Sequence, residues 1–236
     1  MTKNFQKMDS KNLAKWNDQM VLKYHKNGTL FESKNPLLRF IEKRRLKKII
    51  QVSHLNENDT VLDLGCGEGF LISFLPKLKR IVGIDISKIV LKRAKKILKD
   101  KSNVQLIWGD AQKLNMADEI FDKIICSETL EHLPYPQKVM KEIHRLLKRN
   151  GLAIISVPDE KRIQFIMKMA KFFSLDKLLH TARKQKEYDW HLHQADKKFI
   201  FKNSKNLFKM KKIYRTPPLL GYRFIAVLKK DEASIN

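Results

Sequence analysis

The sequence predicts an α/β protein. It has a seven-stranded, mostly parallel sheet with an antiparallel last strand, helices on both faces, an N-terminal helical segment and a helical insertion after strand five. Three observations carry this expectation. Between residues 59 and 158, apolar runs of strand length alternate with amphipathic stretches of helical period, as right-handed β–α–β crossovers require. The first strand, Val61-Leu62-Asp63-Leu64, ends in a glycine-rich turn, Gly65-Cys66-Gly67-Glu68-Gly69, that runs directly into a helix. Residues 208–215 and 222–229 read as two final strands, a hairpin-like antiparallel pair with Thr216-Pro217-Pro218 opening the loop between them.

Taken in order, residues 1–10 are polar and look mobile. Residues 11–26 form a helix with Leu13, Trp16, Met20 and Tyr24 on one side. Asn27-Gly28 is a turn signal. Asn35-Pro36 opens a second helix, with an apolar stripe of Leu37, Phe40, Ile41 and Leu46 running into Ile49-Ile50. Residues 1–54 thus make an N-terminal helical cap, and 55–236 the main domain. Ile81-Val82-Gly83-Ile84 is the second strand and ends on Asp85; Ser87 then caps a helix carrying Val90, Leu91, Ala94 and Leu98. The third strand begins at Val104 and leads into Gly109-Asp110-Ala111. The fourth, Phe121 to Cys126, leads into Ser127-Glu128-Thr129-Leu130-Glu131-His132-Leu133. Pro136 opens a helix carrying Val139, Ile143 and Leu147, closed by Leu146 to Gly151 with Gly151 as a left-handed cap. Leu152 to Pro158 is the fifth strand. Residues 159–195 are an acceptor-side insertion, apolar at Ile163, Phe165, Ile166, Met167, Met169, Phe172, Phe173, Leu175, Leu178 and Leu179, with lysines and arginines interleaved. Such a segment suits capping an apolar acceptor, lying in a membrane interface, or packing on the N-terminal helices.

Ligands of open parallel sheets bind beyond the carboxyl ends of the strands, and Asp63, Asp85, Asp110 and Ser127 all lie at such ends. The glycine turn brings backbone N–H groups close to a ligand, and a carboxylate at Asp85 can accept from ribose hydroxyls. Phe70 stands where the dinucleotide fingerprint has its third glycine, and no Gly-Lys-Ser/Thr follows the turn, so phosphate-bearing ligands are disfavoured. The block resembles motif I of the class I S-adenosylmethionine-dependent methyltransferases, and each element through about residue 160 is similar to its counterpart there, in order. The resemblance implies a Rossmann-like fold with S-adenosyl-L-methionine as cofactor. It implies a binding set of Asp63, Gly65, Cys66, Gly67, Gly69, Asp85, Ile86, Asp110, Ala111 and Ser127, with Asp110 and Ala111 at the adenine.

Glu128, Glu131 and His132 form a second group. On a helical turn, positions i, i+3 and i+4 share a face, so two carboxylates and an imidazole would converge outside strand four. With His191, or His193, from Trp190-His191-Leu192-His193, they would make a divalent metal site. This pattern resembles two metal-assisted branches of the superfamily. One is the quinone-pathway O-methyltransferases such as the ubiquinone-biosynthesis enzymes; the other is the small-RNA 3′-terminal 2′-O-methyltransferases. In both a Glu-x-x-Glu-His motif binds the ion. A Glu-His pair after strand four is also widespread in methyltransferases without metal, where it orders the loop. His132 is the first choice as general base, followed by His191 or His193.

Composition bounds the partners. The chain has 236 residues, 43% of them hydrophobic, and no apolar stretch near the ~20 residues of a membrane span. The N-terminus has no signal-peptide character, and Cys66 and Cys126 read as free thiols, so a cytoplasmic location is expected. The net charge is +24, from 49 Lys and Arg against 25 Asp and Glu, with lysine far in excess. One reading is a polyanionic partner, either an anionic membrane surface touched peripherally or RNA; the other is a lysine-rich background. No RNA-binding module is apparent. The leading expectation is methyl transfer from S-adenosylmethionine to a small or lipid-like acceptor at oxygen. Metal-assisted RNA 2′-O-methylation and a non-enzymatic S-adenosylmethionine-binding module are the alternatives. The acceptor's identity and the oligomeric state are open at this level.

Overall fold

A computed structural model describes residues 8–24, 35–172, 190–217 and 221–231. The Asn27-Gly28 turn and the apolar residues Phe173, Leu175, Leu178 and Leu179 lie outside them. Seven strands form one sheet: β1 (Thr60–Leu64), β2 (Arg80–Asp85), β3 (Val104–Trp108), β4 (Phe121–Ser127), β5 (Leu147–Pro158), β6 (Phe208–Thr216) and β7 (Arg223–Lys230). Their order is β3-β2-β1-β4-β5-β7-β6. The pairs among β1 to β5 are parallel, whereas β7 runs antiparallel to both β5 and β6. The last strand therefore inserts between its predecessors, and the carboxyl ends of β1 to β6 share one edge. Order reverses beside β1, so β1 and β4 diverge into the crevice where ligands of such sheets bind.

The helices are α1 (Ser10–Tyr24), α2 (Pro36–Ser53), α3 (Phe70–Phe74), α4 (Lys88–Ile97), α5 (Pro136–Leu146), α6 (Glu160–Phe172) and α7 (Lys197–Ser204). The expected caps form: Asn35 accepts from Leu37 N–H with Pro36 at the first helical position, and Ser87 accepts from Val90 N–H. Alternation along the central strands fills two cores, one on each sheet face. On one face Leu62, Leu64, Val82 and Ile84 meet α5 (Val139, Ile143, Leu146), α7 (Ile200) and α1 (Leu13, Trp16). On the other, Val61, Ile81, Ile125 and Ile154 meet α2 (Leu46, Ile49, Val52), α3 (Leu71, Ile72) and α4 (Leu91, Ala94). α1 and α2 thus contribute to opposite cores.

One expectation is corrected. The segment from Leu147 to Gly151 does not close a helix; α5 stops at Leu146, and Leu147 opens β5, opposite Phe121. Gly151 is not left-handed. Its smallness serves a close approach, because a Cβ there would lie 2.6 Å from Leu147 Cδ1 and 2.9 Å from the Asp122 carbonyl. The register of β4 and β5 shifts at this point, which brings the two backbones together.

Candidate active site

The glycine turn is built by strain and close packing. Gly65, Gly67 and Gly69 all have positive φ (78°, 52° and 80°). A Cβ on Gly65 would lie 2.2 Å from Thr129 Oγ1, and one on Gly69 2.6 Å from Leu98 Cδ1. Gly67 is different: nothing lies within 4 Å of a Cβ placed there, so its backbone faces open space. Gly65 and Cys66 N–H both donate to the Ile84 carbonyl, at 2.8 and 3.0 Å. Gly67 N–H donates to Asp85 Oδ2 at 2.9 Å, and Ser87 N–H to Asp85 Oδ1 at 2.8 Å. Asp85 therefore ties the turn after β1 to the turn after β2. Burial raises its carboxyl above the usual range, against the pull of these N–H donors.

Asp63 is 2% exposed, and its Oδ2 has no hydrogen-bond partner among the described residues. Burial pushes its carboxyl up to about 7, helped by the charge of Asp85 and opposed by Arg45. A buried carboxylate with an unused oxygen beside a turn open at Gly67 fits a ligand that brings a cationic or donor group. Ile86 and Ala111 are buried just past the ends of β2 and β3, and the Ile86 carbonyl accepts from Trp108 Nε1 at 2.7 Å. Asp110 Oδ1 accepts from Gln112 N–H at 2.9 Å, and its Oδ2 from Ser10 Oγ at 2.6 Å, so α1 reaches the loop after β3. Ser127 Oγ accepts from Arg45 Nη1 at 2.5 Å. Cys66 and Cys126 are free, buried thiols whose ionisation burial opposes.

The second group assembles differently from its expectation. The helical turn is a 3-10 turn of Leu130–His132, and Glu128 precedes it at φ 55°. Glu128 is therefore turned away from the face of Glu131 and His132. Its Oε1 accepts from Ser156 Oγ at 2.9 Å and its Oε2 from Arg223 Nε at 2.8 Å. Arg223 in turn pairs with Glu42 (2.7 Å), and Glu42 with Arg45 (3.0 Å), in a network whose four charged side chains come from α2, the β4 loop and β7. The sequence reading missed Glu42, Arg45 and Arg223. Glu42 and Arg45 do carry a signal, since they share the buried stripe of α2 with Leu46 and Ile49. Arg223 has none, because its partners are distant in sequence.

Glu131, His132 and His191 come together, with one ligand atom from each lying within 4.8 Å of the others. The segment at 190–193 is strapped to the 3-10 turn. Leu192 and His193 N–H both donate to the Glu131 carbonyl (2.8 and 3.2 Å), and the His132 ring lies 4.7 Å from that of Trp190. Tyr24 of α1 stacks on Trp190, with ring centroids 6.4 Å apart. His193 Nε2 is 2.9 Å from the Leu133 carbonyl and stands outside the trio. Thr129, which crowds Gly65, belongs to the same loop, so the two constellations share one wall of the crevice.

Residues 55–213 match the family profile described as a methyltransferase domain. The chain is 34% identical over 158 residues to a ubiquinone biosynthesis O-methyltransferase of Coxiella burnetii; the match covers 66% of this chain and 65% of that relative's length. The fold is similar to that of the N-methyltransferase NodS from Bradyrhizobium japonicum WM9 bound to S-adenosyl-L-homocysteine. The TM-score is 0.66 at 15% identity, over 94% of this chain and 100% of the other. It is also similar to a SAM-dependent methyltransferase of Aquifex aeolicus, at TM-score 0.58 and 17% identity, over 94% of this chain and 98% of that one.

Proposed function

Since this chain belongs to the class I S-adenosylmethionine-dependent methyltransferases, we propose that it methylates a hydroxyl oxygen of a small or lipid-like acceptor. The observation that supports this most is the shared wall of the crevice: the loop that crowds Gly65 through Thr129 also carries Glu131 and His132 to His191. When bound, S-adenosylmethionine supplies a methyl group activated by its sulfonium. The chain's own task is alignment, exclusion of water and handling of one proton. The open backbone at Gly67, with Asp63 and Asp85, forms the donor side, and Ile86, Asp110 and Ala111 the adenine side, with Ser127 beside them. Trp190 and Tyr24 shield the acceptor side. With no cation bound, His132 or His191 takes the proton of the acceptor hydroxyl. Glu131, His132 and His191 are also the residues that would hold a divalent cation, whose chemistry there would be to lower the acceptor's pKa.

An amphipathic acceptor is supported by α6, the first part of the 159–195 segment. Phe165 (62% exposed), Met169 and Phe172 (79%) are exposed, as are Lys161 and Lys168 on the same helix. Among the described residues no helix is long and apolar enough to cross a membrane. Peripheral contact with an anionic surface fits this face and the net charge of +24. The test is transfer of labelled methyl to a cell extract separated into lipid, small-molecule, RNA and protein fractions. Label is expected in the lipid or small-molecule fraction. Label confined to RNA would overturn the acceptor class in favour of nucleic acid.

A further inference from the structure

We infer that Glu160 is a positioning residue for His191, the outer carboxylate of a carboxylate–imidazole pair whose other ring nitrogen serves a divalent-cation site with Glu131 and His132. This rests on reading that trio as the acceptor-side site. Glu160 is the first residue of α6, directly after β5, and its Oε1 lies 2.7 Å from His191 Nδ1. Both side chains are below a tenth exposed, so water does not compete for the bond. The same oxygen accepts from Ala195 N–H at 3.4 Å, and Glu160 N–H donates to the Ala195 carbonyl at 3.5 Å. The carboxylate is thus anchored to the segment it orients, at the amino end of a helix, where the dipole favours negative charge.

The chemical consequence is a fixed tautomer. A carboxylate at Nδ1 draws the ring proton there, which leaves the lone pair on Nε2, the form that a cation requires. The site gathers two imidazoles and one carboxylate, because Arg223 and Ser156 engage Glu128 elsewhere. That donor set suits borderline cations such as Zn²⁺ or Co²⁺ better than Mg²⁺, which prefers oxygen ligands throughout. Glu160 comes from a different part of the chain than the Glu-x-x-Glu-His sequence, so that motif alone gives no hint of it.

The experiment is titration of the full chain with Co²⁺, followed by visible absorption and equilibrium dialysis. Wild type is compared with Glu160→Gln and with His191→Ala in single and double combination. Glu160→Gln keeps an acceptor oxygen but removes the charge. It is expected to weaken Co²⁺ binding about 10- to 100-fold. In the His191→Ala background the same change is expected to have no further effect, because Glu160 acts through that ring. Donor affinity, measured by calorimetry, should be unchanged in Glu160→Gln. Equal Co²⁺ affinity with and without the Glu160 charge overturns the positioning role, as does additivity with His191→Ala. Absence of any Co²⁺, Zn²⁺ or Mn²⁺ binding by wild type overturns the site itself, while retained donor binding leaves the methyltransferase reading standing. Should Glu160→Gln not fold, Glu160→Asp is titrated instead; a shorter carboxylate that leaves Co²⁺ affinity unchanged counts against the proposal equally.

Discussion

At the scale of single residues, the proposed donor side rests on two unusual groups, a buried carboxyl and an open glycine. Asp63 has its carboxyl pushed up to about 7 from an ordinary 3.8, chiefly by burial. The folded state therefore holds the proton more tightly than the unfolded state between these values. The contribution to stability is greatest below the unfolded value and is lost as pH rises toward 7. By the usual conversion this amounts to about 4 kcal/mol at most. Asp63→Asn is expected to flatten this part of the dependence of thermal stability on pH between 4 and 7, measured without donor; an unaltered slope would count against the assignment. Alanine at Gly65 and at Gly67 should separate packing from binding. Gly65→Ala meets Thr129 at 2.2 Å and is expected to destabilise the fold by several kcal/mol. Gly67→Ala bears mainly the left-handed backbone cost of ~1–2 kcal/mol. Its methyl enters the open space, so donor affinity should fall more than stability does. Melting curves and calorimetry on both variants check this, and equal loss of stability in the two would refute it. The glycines are legible in the sequence because their spacing is local. The pairing of Glu42 and Arg45 with Arg223 and Glu128 is not, since only folding brings α2, β4 and β7 together.

At the scale of elements, the strands and caps follow from local signals, and the errors arise where a neighbouring strand overrides them. Asn35-Pro36 and Ser87 cap their helices as their side-chain chemistry dictates. Gly151 follows an amphipathic helix and so imitates a helix stop, yet pairing with β4 draws the chain into β5 four residues earlier. The turn at 128–132 fails for a similar reason: Glu128 is held by Arg223 on the last strand, which breaks the helical spacing of its motif. α1 carries a prediction of its own. Leu13 is fully buried in the same core as Ile84, Ile86 and Ala111, and Ser10 bonds to Asp110. Leu13→Ala is expected to cost about 2–5 kcal/mol in chemical denaturation. It should also weaken donor binding. A loss under 1 kcal/mol would mean that α1 is a loose appendage and no part of the core.

At the scale of the molecule, charge and exposed apolar surface act together. Isolated surface apolar residues are ordinary, but Phe165, Met169 and Phe172 recur at helical spacing on one basic helix that starts at the ligand edge of the sheet. Co-sedimentation with vesicles containing anionic lipid is expected for the full chain, weakening as salt is raised. The pair Phe165→Ser and Phe172→Ser should reduce it at least several-fold while leaving donor affinity unchanged. Retention of wild-type sedimentation by that double variant would remove α6 from the contact. No sedimentation by the wild-type chain would overturn the membrane contact.

The sequence by itself determined the strand–helix alternation, the glycine turn and the acidic residues at the strand ends, the features that carry the resemblance from which the donor is implied. Each of these is a short-range pattern set by backbone sterics and side-chain period. Only the tertiary structure decided which polar side chains meet. It placed Glu128 with Arg223, left Asp63 buried with one oxygen unpartnered among the described residues, and brought His191 from some sixty residues away to Glu131 and His132 with Glu160 behind it. Such meetings depend on the order of strands and the path of loops, where many residues act at once and no local spacing records the outcome.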